Sequence, residues 1–219
     1  MKLASLIILA YERPEFLKRM MVSLLTTPSG YPMEIIVCND GSKDPEVFEY
    51  LTGLVKLKRI SLLINNCGKN VGIEKNVRRG IACSSGKYIF KLDTDLEFTS
   101  NWLKEAIDIL DTSYKIGAIG LVDYRRYDPN DERFWGVTEK RGHLEVTDFV
   151  SSAYGFRREV FDELGKYMRH DGWHLVLKNK GYKLALKDVV DNFGFGQSIY
   201  VGDDGKAVNM DNPPLTFNP

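Results

Sequence analysis

The chain has 219 residues, and its 30 basic and 30 acidic side chains cancel to a formal net charge of zero. That balance excludes a global field suited to nucleic acid or an anionic membrane surface, so any phosphate must be handled locally, by a metal, backbone amides or a few placed cations. Hydrophobic content of 43% and charged content of 27% are those of an ordinary globular protein with one substantial core.

The first apolar run, LASLIILA (Leu3 to Ala10), is too short to span a bilayer. It lacks a leader-type cleavage site and is expected to be a buried parallel strand, so no transmembrane segment is expected. Pro14 then suits the first turn of a helix, and Phe16, Leu17, Met20, Met21, Leu24 and Leu25 recur at helical spacing up to the turn residues TTPSGYP. MEIIVC (Met33 to Cys38) reads as a second strand, followed by the polar loop NDGSKDP and a helix from Pro45 to Lys56. A third strand is expected over Ile60 to Ile64, then the loop NNCGKNVG and a helix from Gly72 to Cys83, stopped by Gly86. Tyr88 to Leu92 is a fourth strand ending at the acid pair of DTD, Asn101 to Leu110 a helix, and Ile116 to Val122 a fifth strand. This alternation predicts an α/β fold with a mostly parallel central sheet flanked by helices.

The second half changes character. DYRRYDPNDERFWGVTEKRGHLEV is charged and turn-rich, with a hairpin expected around Lys140 to Gly142. Helices are expected over Tyr154 to Gly165 and Asp171 to Lys180, before the strand YKLALKDV and an irregular end, DNPPLTFNP. One domain is expected over 1–219: a ligand-binding half to 121, a second half over 122–191 and a tail over 192–219 that is a possible lid. Cys38, Cys67 and Cys83 form an odd set without metal-type spacing, which favours reduced thiols and a cytoplasmic location. His143, His170 and His174 are the only histidines, too few for a zinc site of the usual kind.

In open α/β sheets ligands bind beyond the carboxyl ends of the strands. The loops AYERP, NDGSKD, NNCGKNVG and DTD all follow predicted strands and should gather along one edge. Asp93 and Asp95 would repel each other if left bare, so a counter-charge is expected beside them. A hard divalent cation prefers carboxylate oxygens and often takes substrate phosphates as further ligands; the plain alternative is an acidic loop before a helix capped by Thr99 or Ser100. A calcium loop is excluded because Phe98 stands where glycine is needed. NDGSKD alone reads as a turn, although Asn39 and Asp40 have short side chains able to hydrogen-bond a heterocycle or ribose and Gly41 permits close backbone approach. In GKNVGIEKNVRRG, Asn70 to Gly72 sit at a helix N-terminus whose amides favour anions, and Lys75 is better placed than Arg78 or Arg79 to reach a ligand.

Taken in order, these segments resemble the family 2 nucleotide-sugar glycosyltransferases of GT-A fold: the turn Ala10-Tyr11-Glu12-Arg13, IIVCNDGSKD, NVGIEKNVRRGI, SSGKYIFKLDTDLEF and NWLKEAIDIL. The resemblance covers Met1 to Leu121 well and Ala153 to Leu186 more loosely. It implies transfer of a sugar from a nucleoside-diphosphate sugar, a UDP-sugar being favoured, to a saccharide or other acceptor hydroxyl, with inversion and with Mn2+ or Mg2+. By the same resemblance Ala10, Tyr11, Glu12 and Arg13 line the nucleotide pocket, and Asp40 contacts the base, with Gly41, Asn70, Gly72, Lys75 and Thr94 also on the donor. Asp95 and Asp93 are the metal-side carboxylates: Asp95 binds the cation and Asp93 approaches the ribose or sugar. Asp171 is the implied general base, with His170 and Trp173 on the acceptor side. His170 stands where the family has glutamate, and the family's later histidine has no clear counterpart; Asp188, Asp191 and His174 are all open as its substitute. A non-catalytic nucleotide-sugar-binding module is the alternative. A sugar-phosphate nucleotidyltransferase ranks lower, because AYERPEF has no glycine-rich loop.

Overall fold

The expected alternation of strands and helices is realised in a computed structural model of the chain, which describes residues 3–127, 137–141, 144–147, 153–165, 173–194, 199–201 and 207–209. Three βα units come first: β1 (Ala4–Ala10), α1 (Pro14–Thr26), β2 (Met33–Asn39), α2 (Pro45–Lys56), β3 (Leu62–Asn65) and α3 (Ile73–Ala82). There follow β4 (Tyr88–Leu92), β5 (Leu96–Phe98), α4 (Trp102–Thr112) and β6 (Ile116–Gly120). The remainder contributes β7 (Val137–Arg141), β8 (Leu144–Thr147), β9 (Tyr154–Arg157), α5 (Arg158–Leu164), α6 (Trp173–Asn179), β10 (Lys183–Leu186), β11 (Val190–Asn192), β12 (Ile199–Val201) and β13 (Ala207–Asn209).

The main sheet has nine strands in the order β3-β2-β1-β4-β9-β6-β10-β8-β7, and all but β8 and β9 run the same way. Both expected halves therefore contribute to one continuous sheet. Successive side chains of β1 face opposite sides, as strand geometry requires. Leu6 and Ile8 pack with Leu17, Met20 and Leu24 of α1, Leu51 of α2 and Trp102 of α4. Ile7 packs on the other side with Ile81 of α3, Val160 of α5 and Leu177 of α6. Each layer hides one face of a sheet whose central strands are apolar on both faces. Among the described residues no helix is long and apolar enough to cross a membrane.

One predicted element is corrected. Tyr154 to Gly165 was expected to be helical throughout, but only Arg158–Leu164 is; Tyr154–Arg157 is a reversed strand between β4 and β6. The residues explain it, because they alternate. Tyr154 and Phe156 face the α5/α6 layer, while Gly155 lies against the Phe90 ring and Arg157 reaches the end of α4. A Cβ on Gly155 would stand 2.2 Å from Phe90 Cε1, and Phe90 is itself held edge-on to Trp102. Gly155→Ala is therefore expected to cost about 1–3 kcal/mol by overpacking, read as a lowered urea midpoint with unchanged slope. The short strands β5, β11, β12 and β13 were not anticipated either. Their three residues are too few to display a period, and their existence depends on the partner each one meets.

Candidate functional site

The register of the first four strands brings their carboxyl ends level. Ala10 lies opposite Asn39, Asn39 opposite Asn65, and Leu92 opposite Ile8. The loops after β1, β2, β3 and β4 therefore share one edge, which gathers the expected residues from Ala10 to Asp95. After β1 the backbone turns sharply: Glu12 (φ 48°) and Arg13 (φ 56°) are both left-handed, before Pro14 opens α1. Non-glycine residues adopt this conformation seldom, and when they do it is often at a ligand site. The Glu12 carboxylate accepts from the amides of Lys43 and Asp44, and its own N–H donates to Ser42 Oγ. Glu12 thus ties the β1 loop to the β2 loop.

Asp40 and Gly41 face the loop between β3 and α3. The Asp40 carboxylate accepts from the amides of Val71 (2.7 Å) and Gly72 (3.0 Å) and from Asn66 Nδ2 (3.0 Å). Gly41 (φ 75°) is covered by the backbone of Lys69, which a Cβ would meet at 2.4 Å. Asp40 and Gly41 therefore shape the loop at the foot of α3, with Asn76 buried beneath it and bonded to Asn66. Asn70 accepts from the Gly72 amide, and Lys75 is exposed on the first turn of α3.

The acid pair is divided by its surroundings. Lys91, two residues before Asp93 and so on the same side of the strand, places Nζ 2.6 Å from both Asp93 oxygens. The Lys91 side chain is 3% exposed and that of Asp93 30%. Lys91 also lies over the ring of Tyr154, its neighbour across β9. Sequence reasoning expected a counter-charge here but did not name this lysine. The signal was the one charged residue within the run YIFKL.

Asp95 has no such partner. Its Oδ1 is buried and, among the described residues, receives no hydrogen bond. The carboxyl pKa is pushed up to about 6, first by burial and then by the charge of Asp93, against the opposing pull of Lys91 and Arg13. Arg13 stacks over Phe16, 3.5 Å from the ring centre, and Phe16 in turn packs on Phe193. The chain at Phe193–Gly194 runs over Asp95: the Phe193 amide donates to the Asp95 carbonyl, and a Cβ on Gly194 would stand 2.6 Å from Asp95 Cβ. Thr94 is buried between the two acids. A hard divalent cation fits this donor set, because a buried, unpartnered carboxylate oxygen is what such an ion satisfies. Among the described residues no group of three or more His, Cys, Asp or Glu side chains is gathered to hold a metal.

The residues expected on the acceptor side are described in part. Asp171 and His170 lie outside the described residues, as do Trp135, His143 and the end of the tail. Trp173 opens α6 and is 5% exposed, packed 4.5 Å from the Tyr154 ring, so it supports the wall of the site from behind. Of the three open substitutes for the further ligand, Asp188 and Asp191 both pair with Arg126, each at 2.7 Å. His174 lies on α6 beside Trp173.

The fold is that of GT-A glycosyltransferases. The mannosyltransferase PcManGT of Pyrobaculum calidifontis, solved with GDP-Man and Mn2+, aligns with a TM-score of 0.66 at 16% identity, over 84% of this chain and 56% of that one. GalNAc-T7 with UDP, GalNAc and Mn2+ aligns at 0.65 and 17% identity, over 84% of this chain and 42% of that one. Residues 1–349 of TarS from S. aureus align at 0.60 and 15% identity, over 87% and 60%. The sequence pattern of Glycosyl transferase family 2 matches residues 5–165, and the chain belongs to that family. A Haemophilus influenzae protein described as an uncharacterized glycosyltransferase is 31% identical over 119 residues, which are 54% of this chain and 36% of the relative. The chain thus spans about a third of that curated relative.

Proposed function

We propose that this chain transfers a sugar from a nucleoside-diphosphate sugar to an acceptor hydroxyl, with inversion and with a divalent cation, Mn2+ or Mg2+, on Asp95. The observation that carries this reading is the buried Asp95 carboxylate with an unpartnered oxygen, set among the loops at the carboxyl edge of a family 2 sheet. The Mn2+ in the PcManGT and GalNAc-T7 complexes supports the choice of ion, and their nucleotides support the donor class. A UDP-sugar is the favoured donor. When bound, the cation would supply Lewis-acid stabilisation of the leaving diphosphate.

The chain's own residues do the rest. Ala10, Tyr11 and Glu12 line the nucleotide pocket, and Arg13 adds a positive charge on the Asp95 side of it. Asp40 and Gly41 hold the loop bearing Asn70 and Gly72 so that Lys75 and the free amides of α3 face the donor. Asp93, paired with Lys91, accepts from a ribose or sugar hydroxyl. Asp171 takes the proton of the acceptor hydroxyl as its oxygen bonds to the anomeric carbon. The bond to the diphosphate breaks in the same displacement, and its electron pair leaves with the diphosphate oxygen. His170 and Trp173 belong to the acceptor side, the acceptor being a saccharide or another hydroxyl compound.

A thermal-shift panel of nucleoside diphosphates and their sugars, with and without Mn2+, tests the reading. One nucleotide is expected to raise the melting temperature by several degrees only when Mn2+ is present, since a ligand at about 100 times its Kd adds about 2.7 kcal/mol. A panel in which nothing shifts the transition would overturn it.

A further inference from the structure

We propose that Phe193 is a positioning residue for Arg13: with Phe16 it clamps the guanidinium beside Asp95, where Arg13 is a built-in counter-charge for the donor's diphosphate. The inference rests on the donor-site reading above and deepens it. The Arg13 guanidinium lies 3.5 Å from the centre of the Phe16 ring, and Phe16 packs on Phe193 with ring centres 5.3 Å apart. The Arg19 guanidinium completes the stack, 4.0 Å from the centre of the Phe193 ring. Its two ends differ. Arg19, 57% exposed, is tied off by Glu97 at 2.7 Å on the solvent side. Arg13 is half-buried, and among the described residues no carboxylate or carbonyl takes a hydrogen bond from its guanidinium. That leaves its planar fork of N–H donors available to a diphosphate.

The clamp sits against Asp95. A Cβ on Gly194 would meet Phe16 Cε1 at 2.8 Å and Asp95 Cβ at 2.6 Å, so the Phe16 ring and Asp95 flank the same residue. Burial lowers the Arg13 pKa, and the charge of Asp95 opposes it. An unsupported arginine samples many rotamers, and ordering it on binding costs affinity; a ring against its guanidinium removes that cost beforehand. Phe193 is fixed in turn by the second half of the chain. Its amide donates to the Asp95 carbonyl, and the buried Asn192 before it donates to the hydroxyls of Tyr124 and Tyr127. Arg13 would then share the diphosphate with a cation on Asp95, its charge in place before negative charge develops on the leaving group.

Titrations of UDP and of uridine, both with Mn2+ present, separate the phosphate-dependent part of the affinity from the rest. If the thermal-shift panel selects another base, its diphosphate and nucleoside take their place. Phe193→Ala is expected to weaken UDP about 3–10-fold and uridine by less than about twofold, because one long side chain must now be ordered on binding. Phe193→Tyr keeps the ring and is expected to bind UDP within about twofold of the parent. Arg13→Met is expected to weaken UDP by about tenfold or more, and adding Phe193→Ala to it to cost nothing further, because the two residues act through one group. Unchanged UDP affinity in Phe193→Ala, equal losses for UDP and uridine, or additive losses in the double variant would overturn the proposal while the donor-site reading stands. A parent protein that binds no nucleoside diphosphate would overturn that reading, and the proposal with it.

Discussion

Asp95→Asn is expected to lower kcat/KM on the order of 10³-fold and to abolish the effect of Mn2+ on donor affinity. The amide keeps the size of the side chain but removes the one carboxylate, among the described residues, whose buried oxygen has no hydrogen-bond partner. The same substitution should stabilise the metal-free protein at neutral pH. Burial and the neighbouring Asp93 push the Asp95 pKa up from 3.8 to about 6, so between those values the folded chain holds a proton that the unfolded chain has released. The stability this group contributes is full below pH 3.8 and is lost as pH rises through about 6. Asparagine does not ionise, and at pH 7 without metal the variant should gain about 1–2 kcal/mol over the parent. Urea unfolding at pH 4, 5 and 7, with Mn2+ chelated, measures this, and calorimetry of nucleotide binding with and without Mn2+ measures the other effect. A variant no more stable than the parent at pH 7, or one whose donor affinity still responds to Mn2+, would contradict the assignment.

Arg157→Leu should have the largest effect on folding. Arg157 is 4% exposed, and its guanidinium donates to the carbonyls of Leu110, Ser113, Tyr114 (2.7 Å) and Ile116 (2.9 Å), with Nε on Glu159. Those carbonyls mark the end of α4 and the turn into β6, where backbone acceptors have no partner within the helix. Leucine would leave the four carbonyls without this donor, those of Leu110 and Ile116 in buried surroundings, at a cost of about 3–5 kcal/mol out of a total stability of about 5–15 kcal/mol. Chemical denaturation should show the loss with donor-site chemistry intact in the remaining folded fraction. Arg157→Lys should recover only part of it, because an ammonium cannot span acceptors that the planar fork reaches. A loss below about 1 kcal/mol would mean that water satisfies these groups in the folded state.

The first half of the fold was legible because its signals are local. β1, β2 and β4 are apolar runs closed by polar loops, and α1 and α2 open on Pro14 and Pro45. The second half was harder to read because its residues answer to distant partners. Arg157 in YGFRREVF looks like a helical surface residue until α4 and β6 are placed beside it. The edge at which the expected site residues gather was legible because each of their loops follows a predicted strand. The finer geometry did not: Asp40 looks free in NDGSKD, but its carboxylate is taken up by amides 31 and 32 residues away. Lys91 was hidden by reading YIFKL as a run of apolar residues, when its two-residue spacing to Asp93 was the informative quantity. Asp171 rests on the resemblance of YGFRREVFDELGKY and the acidic position after it to the family pattern.

The reversed direction of β9 has a consequence for how such a protein can change. Because β9 runs against β6, the end of β6 and the start of β9 lie at the same end of the sheet, and the Leu121 amide bonds to the Ala153 carbonyl. The 31 residues between them, numbers 122–152, include β7 and β8, a pair joined through β8 to β10 at the far side of the same sheet. Closing a longer loop costs only about 0.6 kcal/mol for each doubling of its length. Length could therefore be added on either side of the β7–β8 pair while β1 to β4 keep their register.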